Sequence, residues 1–402
     1  MNLILFDETT LRRQLLPLTF TRPIAALRCG ILTLAEKWQH LLPDATVSHL
    51  TEDYLQQKFS LVKAADNLMV NGAICPTPAL VSKIQLLEPG QCLVQHGTML
   101  AFRGSAHVTD LYKNDAYVPV QELEWQESLT LIQHPWHIFR FNGEQLRQDF
   151  ALVTRGRSSA GINDVHTRTY NEENIFVEEG AKIRAAVLNA EDGPIYIGKH
   201  AQVHEGAIIK GPFALCEHSN VNVGGKMRGD ITIGPFSKVG GEVSNSVILG
   251  YSNKGHEGFL GNSVLGEWCN LGADTNNSNL KNNYANVKVW SYQKGGFLDT
   301  GLQFCGLIMG DHSKCGINTM FNTGTVVGVS ANIFGDGFPR NFIPSYSWGG
   351  ANGFTTYKFE AAMETAALVL ERRDLNLDET ERAVLQHVYE QTAQYRVWEK
   401  KG

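Results

Sequence analysis

Two stretches in the second half of the chain carry an aliphatic residue at every sixth position, with a small residue four places after each. The first runs Ile197, Val203, Ile209, Leu215, Val221, with Ala201, Ala207 and Ser219 on the small track and Phe213 as its exception. The second runs Met309, Cys315, Phe321, Val327, Ile333, with Ser313, Thr319, Thr325 and Ala331. An amphipathic helix spaces its apolar residues by three and four, so a strict six excludes it. Two runs of five also argue against chance periodicity in an ordinary β-sandwich. The pattern is the hexapeptide repeat of a parallel β-helix. Each hexapeptide gives one short strand and one corner, and three make a coil. The aliphatic residue points inward and the small one fits the corner. Gly198, Gly310, Gly316 and Gly328 each follow an aliphatic position, and they are expected where a tight turn needs a positive φ.

Elsewhere the pattern predicts mixed α/β structure over residues 1–165, with strands at Asn2–Phe6, Leu68–Val70 and Leu129–Gln133. Helical spacing marks Gly30–Leu42, where Ile31, Leu34, Ala35, Trp38, Leu41 and Leu42 share a face. Pro78–Leu86 also reads as helix. The polar, basic stretch Arg155–Arg168 reads as a linker. The β-helix spans 170–350 with three interruptions: Asn222–Asp230, Gly250–Gly261, and an asparagine-rich excursion from Asp274 to about Gly306. Residues 351–402 form a helical extension. One stripe there is Phe359, Met363, Ala366, Ala367 and Leu370, and a second helix begins near Asp378.

Composition narrows the classes. At 402 residues the chain has room for two or three domains. A net charge of −6 and no Lys/Arg block argue against a nucleic-acid partner. No apolar run approaches a membrane span, and MNLILFDETT, whose short apolar run reaches acid at once, does not read as a signal peptide. The seven cysteines form no CxxC pair, so we expect reduced thiols and a cytoplasmic protein.

The candidate chemistry sits in GYSNKGHEGFLGNSVLGEWCNLGAD and the asparagines after it. His256 lies in a glycine-flanked loop, and imidazole suits proton transfer near neutrality. This stretch resembles the acetyltransferase half of the bifunctional N-acetylglucosamine-1-phosphate uridyltransferase/glucosamine-1-phosphate acetyltransferase family. That family carries Lys-x-Gly-His-x-x-Tyr-x-Gly-Asp, then Asn-Ile-Gly-Ala-Gly, then Asn-Tyr. The resemblance implies a left-handed parallel β-helix, a homotrimer, and acetyl-CoA bound along the outside of the prism between subunits. It makes His256 the base that deprotonates an amino-sugar 1-phosphate. It places Asn270 and Asn279 on sugar or acyl groups and Lys254 near them. The chain departs from the pattern at Phe259 (tyrosine in the family), Asn262 (aspartate), Leu280 (tyrosine) and Ser244 (lysine). Lys254 is shifted by one place. Lys226, Arg228 and Lys238 stand nearby to replace the missing charges.

The front segment RRQLLPLTFTRPI resembles the N-terminal signature of sugar-phosphate nucleotidyltransferases. Arg13, Leu16, Pro17, Leu18, Thr19, Arg22 and Pro23 fit its later part. The resemblance implies an α/β nucleotide-binding domain, with Arg12, Arg13, Thr19, Arg22 and Arg28 toward the nucleotide and Mg²⁺ if the domain is active. The glycine loop is replaced by Phe6-Asp-Glu-Thr-Thr. Alanine follows Asn71-Gly72 where the family has its Mg²⁺-binding aspartate. As a whole the chain looks like a divergent bacterial branch of the bifunctional family with a reduced front half.

Two other readings compete. A γ-type zinc carbonic anhydrase needs three convergent histidines. His200 and His218 are one coil apart and His204 is near, but His256 and His312 complete no set. A non-enzymatic prism would serve as scaffold, or as the trimerisation element of a nucleotidyltransferase.

Overall fold

The computed structural model describes residues 1–400. By its contacts the chain divides into two compact units. Met1–Leu15, Thr21–Leu27 and Leu32–His134 form the first; Leu16–Phe20, Arg28–Ile31 and the chain from Pro135 onward form the second.

The first unit is built on a six-stranded sheet. β1 (Asn2–Phe6) is buried along its whole length. It pairs in parallel with β2 (Thr46–Leu50) on one side and β3 (Asn67–Asn71) on the other. Thr98–Gly104 then adds antiparallel to β3, followed by Gln91–Gln95 and Gln121–Glu124. Because its two parallel neighbours lie on opposite sides, β1 sits where the winding reverses. In open α/β sheets that is where a crevice opens beyond the strand ends. The predicted helix at Gly30–Leu42 is shorter, Leu34–Leu41. Thr33 and Glu36 form a capping box that fixes its start. Pro78–Gln85 is helical as predicted, capped by Thr77.

The second unit contains three sheets of parallel strands, visited in turn by consecutive strands of the chain. All ten aliphatic positions of the two runs are buried in one continuous core, with Phe213 beside them. Two of the three predicted interruptions are absent. Lys226–Met227, Asn253–Lys254 and Phe259–Gly261 are ordinary wall strands. Across the first of them the period of six is in fact kept, with Met227, Ile233 and Val239 buried in the same core, and over the second it fades because the corners shorten. The shift between wall partners falls from 18 residues (Phe213 to Ile231) to 15 (Thr232 to Val247) and 17 (Val247 to Val264). The third excursion is real but starts later, after Asn276–Asn277, which still pair with Met320–Phe321. It carries an antiparallel hairpin, Lys288–Ser291 with Gly296–Asp299.

The glycine reading also changes. None of Gly198, Gly310, Gly316 and Gly328 has a positive φ. A Cβ on Gly198 would lie 2.7 Å from Glu217 N, and one on Gly328 2.3 Å from Ser345 N. At those two positions glycine lets neighbouring coils approach. The positive φ falls instead on His200, His218, Phe236, Tyr251, Trp268 and His312, one per coil along a single corner. Their rings stack in series, with centroids 4.3–6.1 Å apart.

Pro135–Thr154 is a 20-residue helix that the pattern did not predict. At the other end Phe359–Glu371 and Glu379–Gln391 are helices, the second capped by Asp378. They dock on the coil: Tyr346 Oη donates to the Leu385 carbonyl and Arg373 to the Phe236 carbonyl. All seven cysteines are buried free thiols.

Candidate functional site

In the second unit, wall strands turn alternate residues out and in. Asn253 faces outward, and Lys254 takes the inward position in register with Val239. The chain then turns a corner through Gly255, His256 and Glu257. These three, with His204, Asn222, Val223 and Gly241 from preceding coils, line an open cleft of about 460 Å³. His256 is exposed.

Two buried or half-buried groups fix this corner from behind. Asn222 Nδ2 donates to the Gly255 carbonyl at 2.7 Å. Lys254 Nζ donates to the His256 carbonyl at 2.7 Å. Gly255 leaves little room beside it: a Cβ there would meet Asn222 Nδ2 at 3.0 Å and Asn253 Oδ1 at 3.2 Å. Lys254 is 2% exposed. Burial pushes its ammonium down to about 8, against the pull of Glu257 and Asp274 and with a further push from Lys226.

The other expected residues divide between the cleft and its surroundings. Lys254 does not reach out toward a sugar; the wall alternation turns it into the core. Lys226 is exposed and pairs with Glu257 at 3.2 Å, so it stands at the cleft edge. Arg228 pairs with Glu242 at 2.7 Å and is not among the lining residues. Asn270 accepts from Asn253 Nδ2 at 3.1 Å on the wall before the corner. Asn279 donates to Asn262 Oδ1 at 2.8 Å on the wall after it, where both stand near Gly261 and Phe259. The sequence reading missed Asn222 and placed it in an interruption; its signal was its position two coils before the Gly-His corner, in register with it. Among the described residues no three or more His, Cys, Asp or Glu side chains gather to hold a metal. His200 and His218 stack on each other at 5.0 Å.

The first unit has its own cavity, about 610 Å³, at the ends of β1 and β2. Asp7, directly after β1, is its keystone. Its Oδ1 accepts from Ile24 N at 2.8 Å. Its Oδ2 accepts from Arg12 Nη1 at 2.8 Å and Thr51 Oγ1 at 2.6 Å. Arg12 also donates to the Arg22 carbonyl and to Tyr54 Oη. Burial opposes the Arg12 charge, yet Asp7, Tyr54 and Glu52 together hold its guanidinium above the ordinary value. Arg12 is therefore bound into the fold, and the acid behind it was the sequence signal. Arg13 is exposed, whereas Thr19, Arg22 and Arg28 are buried. Arg28 donates to the Ile31 carbonyl, and Arg28 and Thr19 are part of the second unit. Of the three in the first unit, Arg12, Arg13 and Arg22, Arg12 lines this cavity.

The two acids nearest the end of β1 are engaged within the fold: both Asp7 oxygens accept internal hydrogen bonds, and Glu8 caps Thr9–Gln14 through the Thr10 and Leu11 amides, while Glu52, Asp53 and Asp115 also line the cavity. At the end of β3 the Asn71 amide is turned to the Met99 carbonyl and the Ala73 amide.

Against this geometry, residues 3–158 match the family model described as "Sugar nucleotidyl transferase". Over 160 residues the chain is 29% identical to a bifunctional sugar-1-phosphate nucleotidylyltransferase/acetyltransferase of Sulfurisphaera tokodaii, covering 39% of this chain and 37% of that protein. Over 87 residues it is 36% identical to the bifunctional protein GlmU of Methanocaldococcus jannaschii, covering 22% and 21%. The chain thus spans well under half the length of these curated relatives. Among solved structures, the polySia-specific acetyltransferase NeuO aligns with 49% of this chain and 85% of its own at 15% identity, with a TM-score of 0.26, too loose to argue from. The comparisons establish a sugar nucleotidyltransferase-like front segment and weak similarity to bifunctional nucleotidyl- and acetyltransferases.

Proposed function

We propose that the chain is a bifunctional-type enzyme of sugar-phosphate activation, whose coiled unit transfers acetyl from acetyl-CoA to an amino-sugar 1-phosphate, most simply glucosamine 1-phosphate. The observation that carries this is the exposed His256 at a cleft corner, with the carbonyls of Gly255 and His256 held from behind by Asn222 and Lys254. An imidazole at a corner braced from behind and open to solvent is placed for general-base work. In this reading His256 takes the proton from the sugar amine as nitrogen attacks the thioester carbonyl. The C–S bond breaks, and coenzyme A leaves as thiolate and is protonated. Asn270 and Asn279, from the next coil, would contact the sugar or acyl groups. Lys226, held by Glu257 at the cleft edge, offers the sugar phosphate a cation.

The reading includes a left-handed coil and a homotrimer with acetyl-CoA between protomers. It also includes a cytoplasmic setting; no helix among the described residues is long and apolar enough to cross a membrane. For the front unit we propose binding of a sugar nucleotide in the cavity beyond β1 and β2. Its two acids nearest the strand end are committed to internal hydrogen bonds, which favours binding over turnover. The test offers glucosamine 1-phosphate, acetyl-CoA and UTP together, and reads released coenzyme A and pyrophosphate separately. We expect coenzyme A without pyrophosphate. No coenzyme A release would sink the acetyl-transfer reading.

A further inference from the structure

Along the inward track of its wall the chain places Val221, Val239, then Lys254, then Leu271, Cys315 and Ile333. Each of the others is apolar. A lysine in that series takes a core position that an aliphatic side chain would fill at no electrostatic cost. Removing a charge from water is expensive unless a partner compensates. No carboxylate forms a salt bridge with Lys254 among the described residues. Its hydrogen-bond partner is the main-chain carbonyl of His256, two residues ahead.

We infer that Lys254 is a positioning residue: its ammonium reaches from inside the coil to the corner and holds the His256 peptide, so that the imidazole is presented at one fixed orientation to the cleft. The inference rests on the proposed role of His256. Lys254 touches neither substrate nor the reacting atoms. Its contribution is geometric, because small misplacements of a catalytic group cost rate steeply. Asn222 acts on the adjoining peptide, so two successive carbonyls are pinned by side chains from different coils. The charged groups facing the amine are Glu257 and Asp274, which favour its charge, and Lys226, which opposes it; the Cys315 thiol also faces it and is itself pushed up by burial.

The test compares the full chain with Lys254→Met, and with Lys254→Leu as a second variant that matches Leu271. Glucosamine 1-phosphate and acetyl-CoA are supplied, and coenzyme A release is followed from pH 6.5 to 9.5. We expect kcat to fall at least about tenfold, KM for acetyl-CoA to stay within twofold, and the melting temperature not to fall. The wild-type advantage should narrow above pH 8 as the amine loses its proton. Wild-type kcat in both variants would overturn the inference, as would kcat and melting temperature falling together. Hydrogen exchange across 255–258 provides a readout independent of activity, expected to be faster in both variants. If the wild type itself releases no coenzyme A, the acetyl-transfer reading fails. Exchange then still decides whether Lys254 holds the corner, and unchanged exchange rejects it.

Discussion

Each unit buries several cations, and two of them, Arg12 and Lys254, one from each unit, are handled in opposite ways. Arg12 in the first unit meets Asp7, Thr51, Tyr54 and a carbonyl, so its charge is compensated on several sides. Lys254 in the second has a backbone carbonyl and apolar neighbours on its track. The first arrangement raises the proton affinity of its cation and the second lowers it. A compensated buried charge holds a fold together at little net gain. A weakly compensated one is a standing cost, and such costs tend to persist where function requires them.

The comparison can be broken most forcefully at Arg12. Replacing it with Met leaves the Asp7 carboxylate buried without its cation, which should cost about 3–5 kcal/mol. Hydrogen exchange of the β1 amides would report it; an unchanged rate would mean that Asp7 is held well enough by Thr51 and Ile24 alone. In the second unit, His256→Ala should reduce coenzyme A release by about 10²–10⁴-fold with exchange in the coil unaffected, since the ring is exposed. Retained activity removes His256 from the mechanism.

Lys254→Met should go the other way in stability. The folded amine titrates near 8, below its ordinary 10.5. Below pH 8 both states carry the proton and the fold bears the buried charge. Between 8 and 10.5 the folded form sheds its proton first, so the unfolded state binds more protons and stability rises with pH. Relative to Lys254→Met, the wild type should therefore gain about 2–3 kcal/mol across that window, read from urea unfolding at several pH values. No relative gain would show that the amine is solvated in the fold. The smallest effect is expected for Lys226→Ala. Its exposed pair with Glu257 should change stability by less than about 0.5 kcal/mol, while KM for the sugar phosphate rises if Lys226 meets the phosphate.

The coil was legible from its apolar period over the two runs, but the first was broken off at Val221 although Met227, Ile233 and Val239 continue it. Between Val239 and Leu271 the corners shorten, and a reading tied to spacing took ordinary walls for loops. Lys254 looked like a surface lysine for the same reason: only the register with Val239 shows that it faces inward. The helix Pro135–Thr154 was hidden by Gly143 at its middle. A Cβ there would lie 1.9 Å from Asp230 Oδ1, so close packing within the second unit, and not helix propensity, dictates the residue. The front hairpin at Gln91–Gln95 and Thr98–Gly104 was missed although His96-Gly97 marks its turn, both with positive φ. The acids after β1 were noticed, but that they lock Arg12 depends on Thr51 and Tyr54, far off in sequence.

The shortened corners have an evolutionary consequence. Dropping one residue in the middle of a β-strand exchanges its buried and solvent faces, which is ruinous. Dropping it between two walls leaves every later side chain facing as before. Indels in this half of the protein should therefore collect at the edges of the prism, and the long insertion after Asn277 is the extreme case of a change that the walls never register.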